Sequence, residues 1–223
     1  MPKPHKLTLV TDTSAATVDA LVASYVASFN LETFYPSTAQ FKGLPDGEYW
    51  HALQLKKVAY ASLSNPGHEV WCILGDREGG IEGRDVAALV IFKLPGCPPD
   101  GPTPYDGELA SLPKVAVERY HRIVKASAAL TARSWPGDSF HISWLGVAPE
   151  YEKRGMAGAL VRMALARAAD KRGSVRLMTQ SADNVAFYEH LGFQAKGYDE
   201  WDIAGVPHTF WVMVAEPKPA SGG

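Results

Sequence analysis

This chain has little cysteine, no long apolar run and no excess of either charge, and each shortage removes a class of protein. Its two cysteines, Cys72 in an apolar run and Cys97 in a proline-rich one, form neither a disulfide framework nor the paired spacing of a zinc site, so no metal is expected. A reducing, cytoplasmic compartment is the expected setting. No apolar stretch approaches the roughly 18 residues of a spanning helix, and the opening "MPKPHKLTLV" has no apolar core of signal-peptide length. A membrane partner is therefore not expected. With a formal net charge of -2, the chain as a whole does not attract nucleic acid. Any site for a polyanion has to be local. Two phosphate-binding signatures are also missing: Gly-x-Gly-x-x-Gly does not occur, and no Gly-Lys-[Ser/Thr] opens a helix, which sets aside the two folds built on them.

What is present is the composition of an ordinary globular protein, 46% hydrophobic and 21% charged, on a length suited to one domain, residues 1–223. "KLTLVTD" predicts a strand, after which Thr13 or Ser14 N-caps a helix with apolar residues at helical spacing. "EYWHALQLKKVAYASLS" predicts a second helix, stopped at Asn65-Pro66-Gly67. "HEVWCILGD" and "RDVAALVIFKL", rich in Val and Ile and joined by a glycine-bearing turn, read as a hairpin. The proline and glycine cluster that follows is a loop, and a helical period resumes through "ELASLPKVAVERYHRIVKASAALTARS". Residues 97–137 thus form a helical insertion between the third and fourth strands. "SFHISWLGVAP", "GMAGALVRMALARAADKRG" and "SVRLMTQ" give strand, helix and strand, a parallel crossover. "DNVAFYEHLGF" is a short helix closed by Gly192. A final hairpin follows, and residues 216–223 read as a loose tail. The fold expected is α/β (α+β), a mixed sheet of about seven strands with helices on both faces.

One stretch asks for a special explanation. "GVAPEYEKRGMAGALV" opens a helix with Gly155, Met156, Ala157 and Gly158, although glycine inside a helix costs about 1 kcal/mol against alanine. A helix start presents several unpaired N–H groups, and Lys153 and Arg154 add local positive charge, so a diphosphate could be held there. Tight packing of the helix against the sheet is the other explanation of the glycines.

"LGVAPEYEKRGMAGALV", "DNVAFYEHLGF" and "FWVMVAE" together resemble the GNAT superfamily of acyl-CoA-dependent acyltransferases, and within it the puromycin N-acetyltransferase group. The likeness is clear from about Phe140 to Val214 and weaker before. The family pattern Val-x-Pro-x-x-(Gln or Arg)-x-x-Gly-x-(Gly or Ala) falls on Val147, Pro149, Glu152, Gly155 and Ala157, with Glu152 departing from it. The resemblance implies acetyl-CoA as cofactor, with Glu152, Lys153, Arg154, Gly155, Met156 and Ala157 around its diphosphate. It also implies a pantetheine arm along Leu145, Val147 and Asn184, in a gap between splayed strands.

Tyr188, the tyrosine of that family's motif, is the candidate acid for the departing thiolate, since a phenol of reference pKa about 10 stays protonated at neutral pH. His141 is the candidate base. Strand alternation places it on one face with Ser143, Leu145 and Val147, and its reference pKa near 6.5 suits proton acceptance. Asp199, Glu200 and His208 are reserves. Phe29, Phe34, Tyr35, Tyr105 and Trp201 are expected to line an acceptor pocket. The activity expected is direct transfer of an acetyl group to a small primary amine in a ternary complex, by a monomer or homodimer. A non-catalytic acyl-CoA sensor and transfer to a hydroxyl or a protein lysine are the alternatives.

Overall fold

Seven strands, β1 (Thr8–Val10), β2 (His68–Leu74), β3 (Val86–Lys93), β4 (Phe140–Val147), β5 (Val175–Thr179), β6 (Gln194–Ile203) and β7 (Val206–Ala215), form one sheet in the order β1-β2-β3-β4-β5-β7-β6. This is seen in a computed structural model that describes residues 5–29, 40–135, 137–203 and 205–216. Every neighbouring pair is antiparallel except β4 and β5, which run parallel. The described helices are α1 (Ala15–Ser28), α2 (Gly47–Ser64), α3 (Asp106–Leu109), α4 (Lys114–Ser134), α5 (Met156–Ala169) and α6 (Ala182–His190), with a 3-10 turn at Pro149–Tyr151. Among the described residues, no helix is long and apolar enough to cross a membrane.

Local chemistry sets most boundaries. Ser14 caps α1, its hydroxyl accepting from the Thr17 N–H at 3.3 Å. Gly192 ends α6 with φ 96°, a conformation that favours glycine. The single helical period read through residues 108–134 is corrected at Pro113. Proline has no N–H to bond back and its ring clashes with the preceding turn, so α3 stops at Leu109 and α4 starts anew with Pro113 as its N-cap.

The sheet separates two cores. On one face α5 buries Leu160, Val161 and Ala164 against Phe92, Ile142 and Leu177. On the other, Val18 and Leu21 of α1 and Leu55 of α2 pack on Val70, Leu89 and Ile91. From Ala88 to Phe92 successive side chains of β3 therefore alternate between the two cores, and the run "VAALVIF" is apolar throughout because both of its faces are covered. Helix α4 lies on the α1–α2 side, with Leu130 against Phe210, Val212 and Val214 of β7.

Strand β4 carries the irregularity that shapes the site. Its register with β3 passes from Trp144 opposite Ile91 directly to Ile142 opposite Phe92, so Ser143 is an extra residue, a β-bulge. The side-chain alternation shifts by one there. Ile142, Leu145 and Val147 all pack toward the α5 core, whereas Trp144 packs toward α1 and α2. The expected single face for His141, Ser143, Leu145 and Val147 does not form: His141 alternates with Phe140 and Ile142 and lies on the α1–α2 side.

Candidate functional site

The parallel pairing of β4 with β5 covers only Phe140 with Val175, His141 with Arg176 and Ile142 with Leu177. Beyond it the strands part at the bulge, β4 staying with β3 as far as Val147 and β5 with β7 as far as Thr179. A strand that loses its neighbour leaves backbone donors and acceptors along the open edge. The gap opens into a cavity of about 400 Å³, walled near the seam by Ser143, Leu145, Met178, Thr179, Asn184 and Tyr188.

Helix α6 aims the last two of these. Its N-cap is Ser181, whose hydroxyl accepts from the Asn184 N–H at 3.1 Å. Asn184 is therefore not the cap, and its amide lines the cavity. Tyr188 follows one turn later on the same face. Its ring is only 8% exposed and meets Phe187 and Phe193 edge-on, with centroids 5.1 and 5.6 Å away.

After β4 the chain is held before it turns. The Tyr151 hydroxyl bonds the Asp85 carboxylate at 3.0 Å and accepts from the Asp76 N–H at 3.1 Å. The Arg154 guanidinium lies 5.0 Å from the Tyr151 ring centroid and donates to the Glu150 carbonyl at 2.9 Å. His5 adds a contact that the sequence did not suggest, its Nε2 lying 2.8 Å from the Arg154 carbonyl oxygen. Two left-handed residues, Lys153 (φ 60°) and Gly155 (φ 80°), then swing the chain into α5. A Cβ on Gly155 would meet nothing within 4 Å, so what this glycine supplies is its backbone conformation. A Cβ on Gly158 would meet the movable guanidinium of Arg162 at 3.2 Å, and not the sheet. Packing against the sheet accounts for neither glycine.

The first-turn N–H groups of α5 have no intrahelical acceptor, and they carry the positive end of the helix dipole. Lys153, Arg154 and Gly155 are exposed beside them, whereas Met156 is buried and Ala157 half-buried. Glu152 differs from these residues: its side chain is exposed and its N–H already donates to the Pro149 carbonyl at 3.2 Å.

The expected acceptor residues divide. Phe29 stacks on Tyr25 at 4.6 Å between centroids, Tyr25 lies 4.0 Å from Trp144, and all three line the cavity. Trp201, stacked on Phe210 at 3.7 Å, lines it too. Phe34 and Tyr35 lie outside the described residues. Tyr105 is corrected: it sits edge-on to Tyr60 at 6.2 Å and packs on the α1–α2 core, away from the cavity wall. Of the reserves, Asp199 is paired with Arg133 at 3.0 Å and His208 is buried off the cavity wall. Tyr120, Ile123 and Ser127 of α4 also line the cavity. Their i, i+3, i+7 spacing marks one helix face in the sequence, but nothing in that spacing says what the face looks onto.

His141 does not reach this wall. It lines a second cavity, also about 400 Å³, with Lys93 and Arg176. Burial, then the positive charges of Arg176, Lys93 and His68, hold its pKa well below the ordinary histidine value. Such an imidazole is neutral at pH 7 but a weak proton acceptor. Among the described residues, no group of three or more His, Cys, Asp or Glu side chains is placed to hold a metal ion.

Residues 115–195 match the family model of the acetyltransferase (GNAT) domain. No curated protein matches the chain. Among solved structures the chain is similar to a histone acetyltransferase and related acetyltransferase from Corynebacterium glutamicum, at 14% identity and a TM-score of 0.64 over 99% of this chain and 100% of the other. It is also similar to arylalkylamine N-acetyltransferase 2 from Aedes aegypti, at 14% identity and 0.62 over 95% and 99%. A polyamine N-acetyltransferase from Drosophila melanogaster gives 15% and 0.55 over 95% and 100%. At these identities the likeness is one of fold: the single domain, with its mixed seven-stranded sheet and helices on both faces, is GNAT-like.

Proposed function

We propose that this chain, an acetyltransferase of the GNAT type, moves an acetyl group from acetyl-CoA directly to the nitrogen of a small primary amine in a ternary complex. The observation that supports this reading most is the seam between β4 and β5, which opens into a cleft walled by Asn184 and Tyr188. The donor set suits coenzyme A. The backbone N–H groups from Lys153 to Ala157, turned outward by the left-handed Gly155 and flanked by the Lys153 and Arg154 side chains, suit a diphosphate. Glu152, its own N–H engaged, adds no donor. The open edge at Leu145 and Val147, with the Asn184 amide, suits the amide groups of a pantetheine arm.

When bound, acetyl-CoA supplies the acetyl group as a thioester. The Val147 N–H is the donor for the carbonyl oxygen. Tyr188 would hold a proton at its phenol oxygen for the sulfur that departs as the carbon–sulfur bond gives way to a carbon–nitrogen bond, and its phenolate would take a proton back from solvent through the cleft. The proton that the amine loses leaves through the cleft to solvent, because His141 lines the other cavity and is a weak base. The aromatic wall of Tyr25, Phe29 and Trp144 favours an amine with an apolar body over a polycation. Solved neighbours named for arylalkylamines and polyamines support an amine acceptor. The wording of residues 140–214 supports a place near the puromycin N-acetyltransferase group.

Calorimetric titration with acetyl-CoA, with desulfo-CoA and AMP as controls, tests the first half of this reading. Thiol release over a panel of amines tests the second. Saturable binding of both coenzymes but not of AMP is expected, and no heat at millimolar acetyl-CoA removes the proposal. Gly155→Val probes the turn itself. A β-branched residue held at φ 80° costs about 1–2 kcal/mol or more, so desulfo-CoA affinity is expected to drop about tenfold with a small loss of melting temperature. Unchanged affinity in a folded variant would show that the diphosphate does not rest on this turn.

A further inference from the structure

Four residues able to carry positive charge stand in direct register across four adjacent strands. His68 of β2 faces Lys93 of β3, Lys93 faces His141 of β4, and His141 faces Arg176 of β5. Residues directly opposite one another share a sheet face, and like charges in such positions repel. A row of this kind is costly unless something negative sits over it. Lys93 and Arg176, two strand spacings apart, are separated by about 10 Å at the backbone, with the neutral His141 between them.

Among the described residues, the nearby carboxylates meet the row only at His68. Asp100 accepts from the Asn65 amide at 2.9 Å and lies 3.7 Å from the His68 ring. Asp138 accepts the N–H of its neighbour Ser139 at 2.9 Å. Among the described residues, neither Lys93 nor Arg176 has a carboxylate within 4.0 Å. Burial lowers the pKa of Arg176 even though Asp138 acts to raise it, so the guanidinium is short of compensating charge. Lys93, His141 and Arg176 all open into the second cavity of about 400 Å³. Lys93 and Asp100 also belong to the wall of the main cleft, so the two spaces meet at Lys93.

The geometry points to an anion subsite at Lys93, His141 and Arg176 that holds a carboxylate of the acceptor, making the acceptor an amine that carries a carboxylate at the far end from its amino group. Arg176 presents a fork suited to two carboxylate oxygens, Lys93 a point charge, and His141 a ring N–H. Asp100 and Asp138 line the same cavity, and their charge favours a singly charged carboxylate over a phosphate dianion. This inference rests on the transferase reading for the amine end only.

The test separates the two. Octanoate, which has the anion but no amine, is titrated calorimetrically into the whole protein without coenzyme. Saturable binding is expected, weakened at least about tenfold in Lys93→Met and in Arg176→Met and largely kept in Arg176→Lys. Melting curves check that each variant folds; should Arg176→Met not fold, Lys93→Met at the half-buried strand end decides. No saturable octanoate binding, or equal binding by the folded methionine variants, overturns the subsite whatever the protein does with acetyl-CoA. Octanoate binding without acetyl-CoA binding overturns the transferase reading and leaves the anion site standing. Where both bind, the best of a series of ω-amino acids of increasing chain length should exceed the alkylamine of equal length in kcat/KM by about tenfold or more, and Arg176→Met should bring that ratio close to one. A wild-type ratio near one removes the carboxylate from the acceptor.

Discussion

Tyr188→Phe is expected to lower kcat for acetyl transfer by about 10²–10⁴-fold, the range over which a positioned general acid or base contributes, with little change in KM for acetyl-CoA. The substitution is narrow. Phenylalanine keeps the ring that meets Phe187 and Phe193 and stays within the α5 core, and only the hydroxyl is lost. Loss of one hydrogen-bonding group costs about 1 kcal/mol of stability, so the melting temperature should fall by a few degrees at most. Steady-state thiol release beside a thermal melt reads both quantities. A kcat within threefold of wild type in a folded variant would remove Tyr188 from the chemistry and leave it as a wall of the cleft. A fall in kcat with an equal rise in KM would instead assign it to coenzyme binding.

The largest effect on stability is expected at Phe92, where truncation to alanine should cost about 3–5 kcal/mol. Phe92 is 0% exposed and stacks on Phe140, with centroids 5.3 Å apart and planes within 10°. It also stands opposite Ile142, the last β4 residue paired to β5 before the strands separate. The cavity would open where the sheet has the least room to collapse, because β3 is covered on both faces. For a chain of this size each kcal/mol moves the melting temperature by about 2–4 °C, so a fall of roughly 6–20 °C is expected. Leu9→Ala on the edge strand, where the side chain is 43% exposed, is the contrast, with a change of about 0.5 kcal/mol or less. Denaturant unfolding of both variants gives the comparison. A loss below about 1 kcal/mol for Phe92→Ala would mean that the α5 core does not depend on this pair.

Much of the fold was legible because its signals are local. Ser14, Asn65, Pro149 and Gly192 act on bonds within a few residues of themselves, so element order and most boundaries followed from them. The turn at Gly155 was legible for the same reason, and packing against the sheet, the other explanation of its glycine, gives way to a left-handed backbone. Pro113 was a local signal too, but the helical period around it outweighed it in the reading of residues 108–134.

What the amino-acid order by itself determined was therefore the succession of strands and helices, the glycine-bearing turn into α5, and the pairing of Asn184 with Tyr188 on one helix face. Each is settled by chemistry within one or two turns of chain. Tertiary structure alone decided the bulge at Ser143, the parting of β4 from β5, and the row from His68 to Arg176. Those features depend on register between strands far apart in the sequence, and one residue of slip moves a side chain to the opposite face. His141 shows the consequence: strand alternation suggested one face shared with Leu145 and Val147, and the extra residue at Ser143 turned it toward Lys93 and Arg176 instead.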